Sequence, residues 1–236
     1  MITTLLLSLA LQDADVAGPP RIEAPAELFS CGTDVSARSA LCRAATAEGQ
    51  GRYADAAEGF AEAATLSVDD TLDRVVAEIA AANMWLAAGE PGKADAALAR
   101  AIAEEAVLDP VQQGLARIDR ARAALALGEP DRARILLAEA ETLVDEDPFL
   151  FWMKGTLALD AGDVAEARAD VDKGLMLAAD SPELLYLAGH VALAEGDAAR
   201  ARSEWSVAAK FLGNPSGKAA ADALAELDAP QQGAGN

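Results

Sequence analysis

A glycine followed by a fixed series of small and large apolar residues recurs five times in this chain, at Gly51, Gly89, Gly128, Gly162 and Gly196. Five residues after each glycine stands alanine: Ala56, Ala94, Ala133, Ala167 and Ala201. Nine after stands a large apolar residue: Phe60, Leu98, Leu137, Val171 and Trp205. Twelve after stands a tiny one: Ala63, Ala101, Ala140, Gly174 and Ala208. Self-similarity at such a period specifies a repeat architecture, in which each unit buries its apolar face only against its neighbours.

Apolar residues on both sides of each glycine fall at i, i+4 and i+7, the spacing of one face of an α-helix. Each unit is therefore expected to be a helix, a glycine turn and a second, antiparallel helix. The glycine supplies the left-handed conformation that ends the first helix. Alanine at five and twelve lets two helices approach closely, and the large residue between fills the gap. Asp109-Pro110, Asp147-Pro148 and Ser181-Pro182 read as N-caps followed by proline at the first helical position. The glycines are 34 residues apart in the last two intervals but 38 and 39 apart in the first two. The extra four or five residues amount to about one helical turn. They are expected around Ser67–Leu72 and Glu104–Gln113, in a helix or a connecting loop.

Composition agrees with helix. A quarter of the residues are alanine and aromatics make up only 4%. The core must then come from many close helix contacts. The net charge of −20 excludes nucleic acid as an expected partner, because phosphates require Lys and Arg. It equally disfavours docking on an anionic membrane surface.

At the N-terminus, Ile2 to Leu11 form an apolar run too short to span a bilayer as a helix. The length suits the core of a secretory signal peptide, with Ser8 and Ala10 placed like a cleavage site, although no Lys or Arg precedes it. Residues 1–12 are accordingly expected to be an export signal. Residues 13–30 are expected to be a proline-containing linker, 31–213 the helix-pair array, 214–228 a closing helix and 229–236 a disordered tail. With the signal removed, no membrane insertion is expected and the location is periplasmic or secreted. The alternative is a cytoplasmic protein whose apolar run is a packing segment.

Cys31 and Cys42 are the only cysteines. No His/Cys cluster accompanies them, so neither a metal site nor a redox motif is expected. They either form a disulfide pinning the N-terminal segment to the first helix, as an exported chain allows, or stay reduced in the cytoplasm. His190 is the only histidine, so imidazole pairs are excluded. Phosphate-binding glycine loops and nucleophile elbows are absent. No catalytic residues, cofactor or enzymatic activity are expected.

A 34-residue helix–turn–helix unit with Gly, Ala, a large apolar residue and Ala in this order resembles the tetratricopeptide repeat. Gly51, Tyr53, Ala56, Phe60 and Ala63 carry the best match. Gly155 and Gly189 stand where that family has a small residue in its first helix. Pro91 and Pro130 replace the usual tyrosine, and Gly174 replaces an alanine. The resemblance implies an all-α, right-handed superhelical array of antiparallel helix pairs, about five in number, closed by a C-terminal capping helix. It also implies a concave groove lined by the first helices, at positions about ten and six before each turn glycine. Here these are Leu41 and Ala45, Ile79 and Asn83, Ile118 and Arg122, Trp152 and Thr156, and Tyr186 and His190, with Phe149 nearby. Exposed aromatics in such a groove suggest an apolar anchor from a partner. One subfamily grips C-terminal carboxylates with Lys, Asn and Arg. Only Asn83 and Arg122 resemble those groups here, and Leu41, Ile79 and Ile118 do not. The expected function is a non-enzymatic scaffold or adaptor whose groove binds a partner peptide or helix, in the bacterial cell envelope. The alternatives are a cytoplasmic assembly protein or an accessory subunit holding a small ligand.

Overall fold

A computed structural model describes residues 31–229. The expected export signal, the linker and the tail beyond Ala229 lie outside the described residues. Eleven α-helices occur among the described residues: α1 Ala37–Gly49, α2 Tyr53–Leu66, α3 Thr71–Ala87, α4 Pro91–Ala103, α5 Pro110–Ala126, α6 Pro130–Glu141, α7 Pro148–Asp160, α8 Val164–Leu177, α9 Pro182–Ala194, α10 Ala198–Ala208 and α11 Pro215–Asp228. A single 3-10 turn, Glu105–Val107, links α4 to α5. The fold is an all-α array of antiparallel helix pairs. It divides after Asp145 into two compact units, the first holding α1–α6 and the second α7–α11.

All five turn glycines have positive φ, from 72° to 83°. Each turn is closed in the same way. The glycine N–H donates to the carbonyl three residues back, and the next N–H donates to the carbonyl five back, as in Glu90 N to Trp85 O at 2.8 Å. These bonds satisfy carbonyls that a helix end would otherwise leave unpaired. N-caps start the first helices. Asp109 forms a reciprocal capping box with Gln112, and Asp147 and Ser181 accept from Phe149 N and Leu184 N. Pro91 and Pro130 begin α4 and α6, where a missing N–H costs nothing.

Close approach explains the alanines. Ala56, Ala94, Ala133, Ala167 and Ala201 are fully buried, as are Leu98, Val171 and Trp205 between them. In the first unit Trp85 and Leu98 pack among Ala57, Ala81, Ala94 and Ala123. In the second, Trp205 packs with Leu185, Tyr186, Ala201 and Ala220. Gly189 admits the indole so closely that a Cβ there would stand 2.1 Å from Trp205 Nε1.

The irregular glycine spacing has a simple origin. α3 and α5 each have 17 residues, whereas α7 and α9 have 13. The insertions add one turn to the start of a first helix, and the second also supplies the 3-10 turn.

Before α1, Cys31 and Cys42 form a disulfide with Cα atoms 5.5 Å apart. Arg43 adds a hydrogen bond to the Gly32 carbonyl at 3.3 Å. Together they tie the start of the described chain to α1.

Candidate functional site

The first helices supply the candidate face, and the structure sorts its residues into covered and accessible ones. On α3, Leu72, Val76, Ile79 and Asn83 occupy one face at helical spacing. On α5, Val111, Leu115, Ile118 and Arg122 repeat that register 39 residues on. Their outer members are open: Leu72 is 44% exposed, Val76 46%, Val111 54% and Leu115 42%. Leu41 of α1 is also exposed and Ile79 is half-buried. Leu72, Val76, Val111 and Leu115 were not expected as site residues. For Leu72 and Val111 the signal was the glycine spacing, which places the additional turn where they stand; Val76 and Leu115 follow one turn later.

Three expected groove residues are corrected. Ile118, Thr156 and Tyr186 are buried and present no open lining. Alanine-rich neighbours bring the helices so near that a larger side chain at the edge of a first helix sinks between them. Thr156 Oγ1 donates to the Trp152 carbonyl of its own helix at 2.8 Å. The Tyr186 carbonyl accepts from Trp205 Nε1 at 2.9 Å.

His190 completes that aromatic cluster. Its ring stands edge-on to Tyr186 at 4.6 Å and to Trp205 at 5.0 Å. Its Nε2 is buried and makes no hydrogen bond. Burial lowers its pKa to about 4, so the imidazole stays neutral. Burial also raises the Tyr186 phenol, assisted by the carboxylates of Glu226 and Asp222. On α7, Phe149 and part of Trp152 are accessible, stacked with centroids 5.4 Å apart.

Asn83 and Arg122 converge, but on a residue of the protein itself. Asn83 Nδ2 donates to Asp119 Oδ2 at 3.0 Å, and Arg122 donates to Asp119 Oδ1 at 2.9 Å. Arg122 is thus charge-balanced in place, unlike a cation prepared for an incoming carboxylate. Asp119 had no signal in the sequence, because its pairing depends on how adjacent first helices meet.

Elsewhere in the first unit, arginines bind carboxylates across helices. Asp95 accepts from Arg120 at 2.9 Å and also from Arg132. Burial alone would raise the Asp95 carboxyl, yet the two guanidinium groups hold it below the ordinary range. Arg117 grips Glu105 at 2.6 Å and Glu139 at 3.3 Å in an open hollow of about 630 Å³ beside the 3-10 turn. Among the described residues, no cluster of His, Cys, Asp and Glu is placed to hold a metal ion. No helix there is long and apolar enough to cross a membrane.

No protein-family model matches the sequence, and no curated protein does so either. Solved structures do. The pilF protein of Pseudomonas aeruginosa aligns over 80% of this chain and 82% of its own, with a TM-score of 0.66 at 13% identity. A thermophilic TPR protein of Thermus thermophilus aligns over 81% and 98%, with a TM-score of 0.60 at 18% identity. YrrB, described as a TPR protein with an unusual peptide-binding site, aligns over 80% and 91%, with a TM-score of 0.58 at 15% identity. Eleven helices in antiparallel pairs, five left-handed glycine turns and these likenesses agree: the chain has the tetratricopeptide-repeat fold.

Proposed function

We propose that this protein is a non-enzymatic interaction scaffold that seats a peptide or helix of a partner protein on the first-helix faces of its repeats. The carrying observation is the row of accessible aliphatic side chains on α3 and α5, set in register while Leu98, Leu137, Leu150 and Leu187 are buried. Phe149 and Trp152 offer a separate apolar contact on α7. The description of YrrB as having a peptide-binding site lends support to the same use of this fold.

We further propose that the protein works in the bacterial cell envelope. The apolar run at Ile2–Leu11 supports this reading, and so does the Cys31–Cys42 disulfide, since such bonds persist in oxidising compartments. Two measurements test the proposal. Mass spectrometry of the protein from its host should find a processed N-terminus and no free thiol; a retained Met1 with two free thiols would overturn the envelope location. Leu115→Asp combined with Phe149→Asp should remove partners that co-purify with the wild type, at unchanged melting temperature. Unchanged partners would move the site away from the first helices.

A further inference from the structure

The insertions that break the 34-residue spacing build a surface of their own. Each adds a turn to the start of a first helix, and each new turn brings an exposed aliphatic residue, Leu72 on α3 and Val111 on α5. Val76 and Leu115 follow one turn later on the same faces. Single exposed aliphatics are ordinary, but here four stand in matching register on two successive first helices.

Some carboxylates of this unit are paired with arginines and others are not. Glu78 and Glu104 are paired with Arg100 and Arg74, and Asp95 with two arginines. In contrast, Asp69, Asp70 and Asp73 at the start of α3 and Asp109 at the start of α5 meet no basic side chain among the described residues. Capping accounts for Asp70 and Asp109, which accept from Asp73 N and Gln112 N. The carboxylates of Asp69 and Asp73 make no hydrogen bond there.

We propose that the apolar row on the lengthened turns of α3 and α5 receives a cationic amphipathic helix, whose aliphatic stripe covers Leu72, Val76, Val111 and Leu115 while its Lys or Arg residues meet Asp69 and Asp73. This rests on the reading of the first-helix face as an interaction surface and gives that partner its chemistry. The aliphatic stretch from Leu72 to Ile79 is about 10 Å long at 1.5 Å per residue, enough for two turns of a docked helix. Two parallel helices with ridges four residues apart offer the groove into which a third helix packs. An acidic segment would meet the carboxylates of Asp69 and Asp73, which make no bond to a basic side chain among the described residues, a repulsion that selects against it.

The full chain can be titrated with two labelled 18-residue helical peptides sharing one Leu/Ile stripe, one with lysines on its polar face and the other with glutamates. At 20 mM salt the lysine peptide should bind at least tenfold tighter by fluorescence anisotropy. Its advantage should shrink at 300 mM, where screening is strong. Asp69→Asn with Asp73→Asn should weaken the lysine peptide several-fold and strengthen the glutamate peptide, since the repulsion it meets is relieved. Val76→Ser with Leu115→Ser should weaken both, with helical content and melting temperature preserved because both side chains are exposed. Equal affinity for the two peptides, lost in the serine variant, would overturn the charge assignment and leave the interaction face standing. Binding of neither peptide, or binding untouched by the serine substitutions, would overturn both.

Discussion

His190 carries a pH dependence that its surroundings define. Buried against Tyr186 and Trp205 with no partner for Nε2, it resists protonation and its pKa falls to about 4. In the unfolded chain an imidazole takes up a proton near pH 6.5. Between those values the unfolded state binds more protons, so stability rises with pH. Stability should therefore be complete above pH 6.5 and fall as the pH drops toward 4, by on the order of 2–3 kcal/mol. Denaturant melts of wild type and His190→Leu between pH 7 and 4 check this, and equal slopes for the two would refute it. The sequence marked His190 as the only imidazole and placed it correctly on the first helix of its repeat. It could not show the covering, because that depends on the Trp205 ring reaching over Gly189. The same blindness made Ile118, Thr156 and Tyr186 look accessible: spacing gives a side chain's direction on its helix, not how near the next helix comes.

Among the elements, boundaries were legible wherever backbone chemistry punctuates the chain. Glycine marks each turn and a capped proline opens α5, α7 and α9, so those ends follow from residue type alone. The lengthened starts of α3 and α5 were readable as an excess of four or five residues, and their placement in helices needed the structure. At the start of α1, the Cys31–Cys42 bond closes a short loop, with a sequence separation of 11. In the chain-entropy treatment a loop of that size stabilises the fold by about 3 kcal/mol. Reduction, or Cys31→Ser with Cys42→Ser, should lower the melting temperature accordingly. The loss should fall on α1 and α2, which peptide-level hydrogen exchange can localise. An unchanged melt after reduction would show that the segment before α1 holds without its staple.

At the scale of the whole molecule, the repeat made the fold legible almost entirely, because one rule applied five times leaves few alternatives. What the rule omits is everything that differs between repeats, and the candidate sites are built from those differences. Nearest-neighbour arrays also localise damage. Trp205→Ala should cost about 3–5 kcal/mol by leaving a cavity. Hydrogen exchange should quicken in α9, α10 and α11 well before it does in α1 to α3. A uniform loss of protection along the chain would contradict this nearest-neighbour picture. The five turns share one more property. Each glycine adopts a positive φ, yet an added Cβ would find nothing within 4 Å. Handedness, not crowding, reserves these positions for glycine. A residue of mirror-image chirality would sit there without strain, so in a chemically synthesised chain the turns form five built-in seats for D-amino acids.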